Sequence, residues 1–246
     1  VGSNCLRNLW EKMTPGCNSR YKCPMFEQNW VVGPFQCNCR LLACPKTGHA
    51  VLVDPGDEAT KILAHLKDLK TLSGLPIEVK YLFHTHGHLD HIAASREIKE
   101  TLSSRPTIAL HKGDEEIYLQ LKMQGRLFGF AYNDPLQVDH FFQDGEELKV
   151  GELKFSLLHT PGHSPGSVCI RLHEDKSNLV QESVLSGDTL FQGSVGRTDL
   201  WGANQEQMFK NIHERILTLD DDTRVCPGHG PNSKIGIEKR SNPFLT

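Results

Sequence analysis

The chain has 246 residues, 38% of them hydrophobic and 23% charged, with a formal net charge of −3. That balance suits a globular enzyme of one large domain or two small ones, and it provides no global attraction to nucleic acid or to an anionic membrane. No apolar run approaches the roughly 20 residues of a spanning helix, and Val1-Gly2-Ser3-Asn4-Cys5-Leu6-Arg7 lacks the basic start and apolar core of a signal peptide.

Residues 1–24 mix Asn, Arg, Lys, Pro and three cysteines with little periodicity, which predicts an N-terminal arm ahead of one domain over 25–246. Strands are expected at Phe26–Val32, Gln36–Ala43 and Ala50–Val53, with turns at Gly33-Pro34 and at Pro45–Gly48. Asp54-Pro55-Gly56-Asp57 turns into a helix whose apolar face is Ile62, Leu63, Leu66 and Leu69, ended at Ser73-Gly74. Val79–Phe83 reads as a strand, Ile92–Lys99 as a helix and Pro106–His111 as a strand. Residues 112–140 are less regular: a helical start at Asp114–Met123 is followed by Phe128-Gly129-Phe130, which reads equally as the lining of a site or as a packed surface flap. Strands return at Glu147–Val150, Leu153–Leu158, Val168–Leu172 and Asn178–Leu185. A helix over Gln205–Leu219, a strand over Thr223–Cys226 and a helix over Ile235–Arg240 close the chain. Two sheets packed face to face with helices outside would satisfy this order.

The eight cysteines include no CxxC pair, so no zinc ribbon is expected. Cys39 and Cys44 fall in a strand-like run and are expected as buried free thiols. A chain of this size can build a proper core without disulfides, and the expected compartment is the reducing cytoplasm.

The densest chemistry lies in His84-Thr85-His86-Gly87-His88-Leu89-Asp90-His91, at the end of an expected strand. His86 and His88 are two apart, so in an extended segment their imidazoles point the same way, and Asp90 continues that face. One metal can take His86 and His88, and a second nearby can take Asp90 and His91, since imidazole and carboxylate are ordinary zinc ligands. His84 falls outside this frame and is expected to support the site rather than ligate. His159-Thr160-Pro161-Gly162-His163 carries a strand into a rigid turn that presents His163, with His159 expected to be packed. Asp188 follows Gly187 at the end of an apolar strand, and His229 is presented by Cys226-Pro227-Gly228-His229-Gly230.

His86-x-His88-x-Asp90-His91 resembles the HxHxDH signature of the metallo-β-lactamase superfamily, and the four motifs in this order resemble its compact glyoxalase II-like (hydroxyacylglutathione hydrolase-like) hydrolases. The resemblance covers roughly residues 26–246. It implies an α/β chain of the α+β kind folded as a four-layer αββα sandwich. It also implies two divalent metal ions, zinc in the first instance with iron or manganese as alternatives. His86, His88 and His163 would hold one, Asp90, His91 and His229 the other, and Asp188 would bridge. The implied activity is cleavage of a small-molecule thioester such as S-lactoylglutathione or a related hydroxyacyl thioester by a metal-bridging hydroxide. Asp90 would accept a hydrogen bond from that nucleophile, and Arg197 would contact the thiol carrier. Asp188 stands where metallo-β-lactamases proper commonly use a cysteine. The chain ends soon after His229, without the helical domain that carries part of the glutathione site in full-length glyoxalase II. The alternative on the same fold is a mononuclear iron persulfide dioxygenase using only His86, His163 and Asp188.

Overall fold

Strand β2 (Cys37–Ala43) is buried at every residue because both of its faces are covered. Cys39, Leu41 and Ala43 face one core, while Leu42 faces another with Val51, Val53 and Phe83. The structure, a computed structural model, describes residues 24–175 and 180–245. The expected arm therefore lies outside the described residues except for Pro24, and so does the start of the strand expected from Asn178.

The first sheet contains β1 (Phe26–Val32), β2, β3 (His49–Val53), β4 (Glu78–Phe83), β5 (Thr107–His111) and β6 (His140–Phe142), in that spatial order. Its first three strands pair antiparallel and the rest parallel. The second sheet contains β7 (Glu147–Val150), β8 (Leu153–His159), β9 (Val168–Leu172), β10 (Ser183–Gly187), β13 (Arg224–Pro227) and β14 (Ser233–Lys234), in the order β14-β13-β10-β9-β8-β7. A small ribbon of β11 (Leu190–Phe191) and β12 (Ser194–Val195) stands apart from both.

Three apolar cores make four layers. The central one joins Phe83, Ala109 and Phe142 of the first sheet to Phe155, Leu157 and Ile170 of the second. Phe83 meets Phe142 and Phe155 edge-on, at 5.3 and 5.6 Å between centroids, a favoured aromatic geometry. The outer face of the first sheet is covered by Ile62 and Leu66 of α1 (Ala59–Leu66), Leu89 and Ile92 of α2 (Leu89–Ile92) and Ile98 of α3 (Ser95–Thr101). The outer face of the second sheet packs Val184 and Val225 on Ile216 and Ile235. The architecture is the expected αββα sandwich.

Several boundaries differ from the sequence expectation. Helix α1 stops at Leu66 rather than near Ser73, because the Leu69 carbonyl accepts from Ile77 N–H and Lys70 bridges Pro76. The helix expected over Ile92–Lys99 is two helices, since Ala94 N–H donates across to the Pro55 carbonyl. Its first part starts inside the histidine motif: Asp90 and His91 belong to α2, while His88 precedes it in extended conformation. After a 3₁₀ turn at Lys112–Asp114 come α4 (Glu115–Leu119) and α5 (Leu121–Leu127), and the three-residue β6 was not expected. Asn204 caps α6 (Gln205–Asn211), its side-chain oxygen accepting from Gln207 N–H at 2.9 Å. A π-helical turn, Ile212–Ile216, then replaces the helix expected to run on to Leu219. The closing helix is α7 (Ile235–Ser241). Among the described residues no helix is long and apolar enough to cross a membrane.

Candidate metal centre

The ligand motifs all leave the C-terminal ends of strands: residues 86–91 after β4, His163 after β8, Asp188 after β10 and His229 after β13. The structure brings all seven side chains together. Imidazole nitrogens of His86, His88 and His163 lie within 4.8 Å of one another, and so do donor atoms of His86, His91 and Asp188. His229 Nε2 stands 3.2 Å from Asp90 Oδ2 and 3.3 Å from His91 Nε2.

Four of the five imidazoles, those of His86, His91, His163 and His229, are aimed by an oxygen on their outer side. His163 donates from Nδ1 to the Arg197 carbonyl at 2.9 Å, and its Nε2 then faces His88 Nδ1 at 3.0 Å. His91 Nδ1 lies 3.1 Å from Asp54 Oδ2, and its Nε2 faces Asp188 Oδ1 at 3.4 Å. His229 donates from Nδ1 to the Gln36 carbonyl at 3.3 Å. Thr85 Oγ1 donates to Asp54 and accepts from His86 Nδ1, at 2.8 and 3.2 Å. Fixing one ring nitrogen in this way sets the orientation of the ring and, in a neutral imidazole, leaves a lone pair on the other.

Two of the inward atoms lack ordinary partners. His86 Nε2 and Asp188 Oδ1 are buried with no hydrogen bond among the described residues. Buried lone pairs are satisfied in nearly all native structures, and a cation is what an imidazole nitrogen and a carboxylate oxygen can share. Burial, followed by the neighbouring imidazoles, holds His86 well below the ordinary histidine range and brings His88 down to about 3. Both are therefore neutral near pH 7, the form that ligates. Burial works against the carboxylate of Asp90, but His91 and His229 outweigh it and keep Asp90 ionised.

His84 does not enter the cluster. Its Nδ1 donates to the Ala109 carbonyl at 3.1 Å, its Nε2 accepts from Ser95 at 2.7 Å, and burial depresses its pKa to about 4. His159 stacks on His111 at 3.8 Å and donates to the Pro165 carbonyl at 2.9 Å. Phe128 and Phe130 pack edge-on against Phe35, next in sequence to the Gln36 that holds His229. The Arg197 guanidinium is exposed in a two-pronged ion pair with Asp199, at 2.7 and 2.8 Å. Its charge still adds to the depression of His88, behind burial, His163 and His91. Cys37, Cys39, Cys44, Cys169 and Cys226 are free and buried. Cys37 Sγ lies 3.6 Å from His91 Nδ1, and burial pushes its thiol up to about 12.

Among the supports that sequence reasoning missed are Asp54 and Asn38. Asp54 is buried at the end of β3 with φ of 50°, and binds Thr85 as well as His91. An acid at the end of an apolar strand was the available signal. Asn38 donates from its side chain to the carbonyls of Pro227 and Gly230, at 3.0 and 2.8 Å, and so clasps the His229 turn. Nothing local marks that contact.

The Metallo-beta-lactamase superfamily model matches residues 32–229. A relative in Haemophilus influenzae, called hydroxyacylglutathione hydrolase GloC, is 36% identical over 215 residues, 87% of this chain and 95% of that one. The solved structure of the BLEG-1 B3 metallo-β-lactamase is 34% identical with a TM-score of 0.78, covering 90% of this chain and 100% of that one. TTHA1623 in a di-iron-bound form is 37% identical with a TM-score of 0.75, covering 89% and 100%. Sequence and fold thus agree: the chain belongs to the metallo-β-lactamase superfamily, whose members are generally metal-dependent hydrolases.

Proposed function

We propose that this protein is a dinuclear metal-dependent hydrolase of glyoxalase II type, cleaving S-lactoylglutathione or a related hydroxyacyl thioester. The observation that carries the reading is the position of Asp188. Its Oδ1 faces His91 Nε2 at 3.4 Å, and its Oδ2 faces His163 Nε2 at 3.7 Å and His229 Nε2 at 3.6 Å. One carboxylate turned towards both histidine groups supports two cations rather than one. His86, His88 and His163 would hold the first, Asp90, His91 and His229 the second, with Asp188 between. Two divalent ions there, zinc with iron or manganese as alternatives, supply when bound a Lewis acid and a water acidified towards a pKa of roughly 7.

The protein's own residues do the rest. Asp90 is ionised and can accept a hydrogen bond from an attacking water, which orients it. Arg197 is next to the cluster through its backbone carbonyl on His163, and a substrate carboxylate can take the place of Asp199 on its exposed planar fork. A thiolate, with a pKa of about 8.5, leaves without a separate general acid. The relative called hydroxyacylglutathione hydrolase supports the substrate class, and the neighbour in a di-iron-bound form supports the metal count and keeps iron in play. The partner in this reading is a small-molecule thioester, with no role for nucleic acid or membrane. The buried free thiols suit the reducing cytoplasm, the proposed compartment.

Protein purified without added metal should carry two divalent ions per chain and release thiol from S-lactoylglutathione without consuming oxygen. Oxygen uptake with glutathione persulfide, together with no thiol release, would overturn the reading in favour of the mononuclear iron dioxygenase. Cleavage of a β-lactam with the thioester left intact would overturn it as well.

A further inference from the structure

We infer that Asp114, outside every ligand motif, is the positioning residue for one of the two metal sites and not the other; this rests on the dinuclear reading above. Asp114 has no solvent exposure. Its Oδ2 accepts from Gly87 N–H at 2.8 Å and from the Ser164 hydroxyl at 2.6 Å, and its Oδ1 accepts from Gly166 N–H at 2.5 Å. Gly87 lies between His86 and His88, and Ser164 follows His163. One carboxylate therefore grips the backbone between two members of the first trio and the immediate neighbour of the third. Its hydrogen bonds reach neither Asp90, His91 nor His229.

The surrounding backbone is built for this grip. A Cβ at Gly166 would stand 2.4 Å from Asp114 N, and one at Gly87 would meet the Asp114 carbonyl at 3.0 Å. Three loops, from β4, β5 and β8, thus touch main chain to main chain around a single side chain. Burying a carboxylate among neutral donors alone is costly. A turn that only needed filling could use an apolar residue there. The charge instead draws three donors to one point and fixes two separate ligand loops at one spacing.

Asp114→Asn tests this with almost no change in volume. An amide offers one acceptor oxygen and one NH₂, so whichever way it turns, Gly87 N–H or Gly166 N–H loses its acceptor. The measurement is the zinc affinity of metal-free protein, by chelator competition, in two backgrounds. His229→Ala disables the second site and reports on the first, while His163→Ala does the reverse. Asp114→Asn should weaken zinc binding about 10–100-fold in the His229→Ala background, the usual scale for a support behind a metal ligand. In the His163→Ala background the change should stay under about threefold. Ser164→Ala, which deletes one hydroxyl, should show the same selectivity at smaller size and covers the case in which Asp114→Asn does not fold. Equal losses in both backgrounds, or none in the first, would overturn the assignment. Failure of the unsubstituted chain to bind zinc at all would instead overturn the metal-centre reading beneath it.

Discussion

His163 donates from Nδ1 to the backbone carbonyl of Arg197 at 2.9 Å, while the Arg197 guanidinium turns out to Asp199. One residue thus serves the cluster with its main chain and an exposed ion pair with its side chain. Substitution removes only the second contribution.

Arg197→Ala should therefore leave metal content unchanged and raise KM for an anionic thioester about tenfold, the signature of lost uniform binding. A neutral thioester of a simple thiol should be unaffected. Metal analysis and steady-state kinetics on both substrates check this. Equal kinetics for wild type and variant on the glutathione substrate would leave Arg197 a surface ion pair.

Asp188→Asn keeps the shape of the side chain and removes the charge that balances two cations. Metal content should drop below two per chain, and kcat/KM should fall by about a hundredfold or more. A variant that retained both ions and full turnover would not be compatible with a bridging carboxylate.

Gly228 has room for nothing larger. A Cβ there would stand 2.4 Å from Asp188 Oδ1 and 2.7 Å from His91 Cε1. Gly228→Ala should displace one or both side chains and lower metal affinity at least about tenfold. Unaltered zinc binding by titration would show that the turn yields without moving the cluster.

His111 offers a pH test away from the cluster. Burial, followed by the charge of the stacked His159, depresses its pKa from 6.5 to about 4. As pH falls, the unfolded chain takes up this proton first. The stability lent by neutral His111 is therefore complete above pH 6.5 and lost as pH falls towards 4. The Tm advantage of the unsubstituted protein over His111→Gln should be greatest at neutral pH and shrink towards pH 4.5. The difference should amount to about 1 kcal/mol once solvent screening of the half-buried pair is allowed for. A gap that widened on acidification would reverse the sign assigned here.

The strands and the ligand motifs were legible because their signals are local. Val79–Phe83 shows its β-formers in a row, and residues 86–91 spell their chemistry within a single turn of chain. The break between α2 and α3 was not legible, since it depends on Ala94 N–H finding a carbonyl at Pro55. The π-helical turn at Ile212–Ile216 hides for a related reason: Leu217 N–H reaches back to the Ile212 carbonyl without disturbing the apolar spacing. Asp54, Asn38 and Asp114 were missed as supports because each acts on a segment distant in sequence, and all three do so at least partly through main-chain atoms.

Strands β1 to β6 build the first sheet and β7 to β14 supply the second and its ribbon, so the chain divides into two consecutive halves at the turn near Asp144-Gly145. The first half brings His86, His88, Asp90 and His91; the second brings His163, Asp188 and His229. Neither half owns a complete donor set. A pair of ions at that seam would tie the two halves together at the open edge of the sandwich, beyond the central core and the Asn38 clasp that already join them.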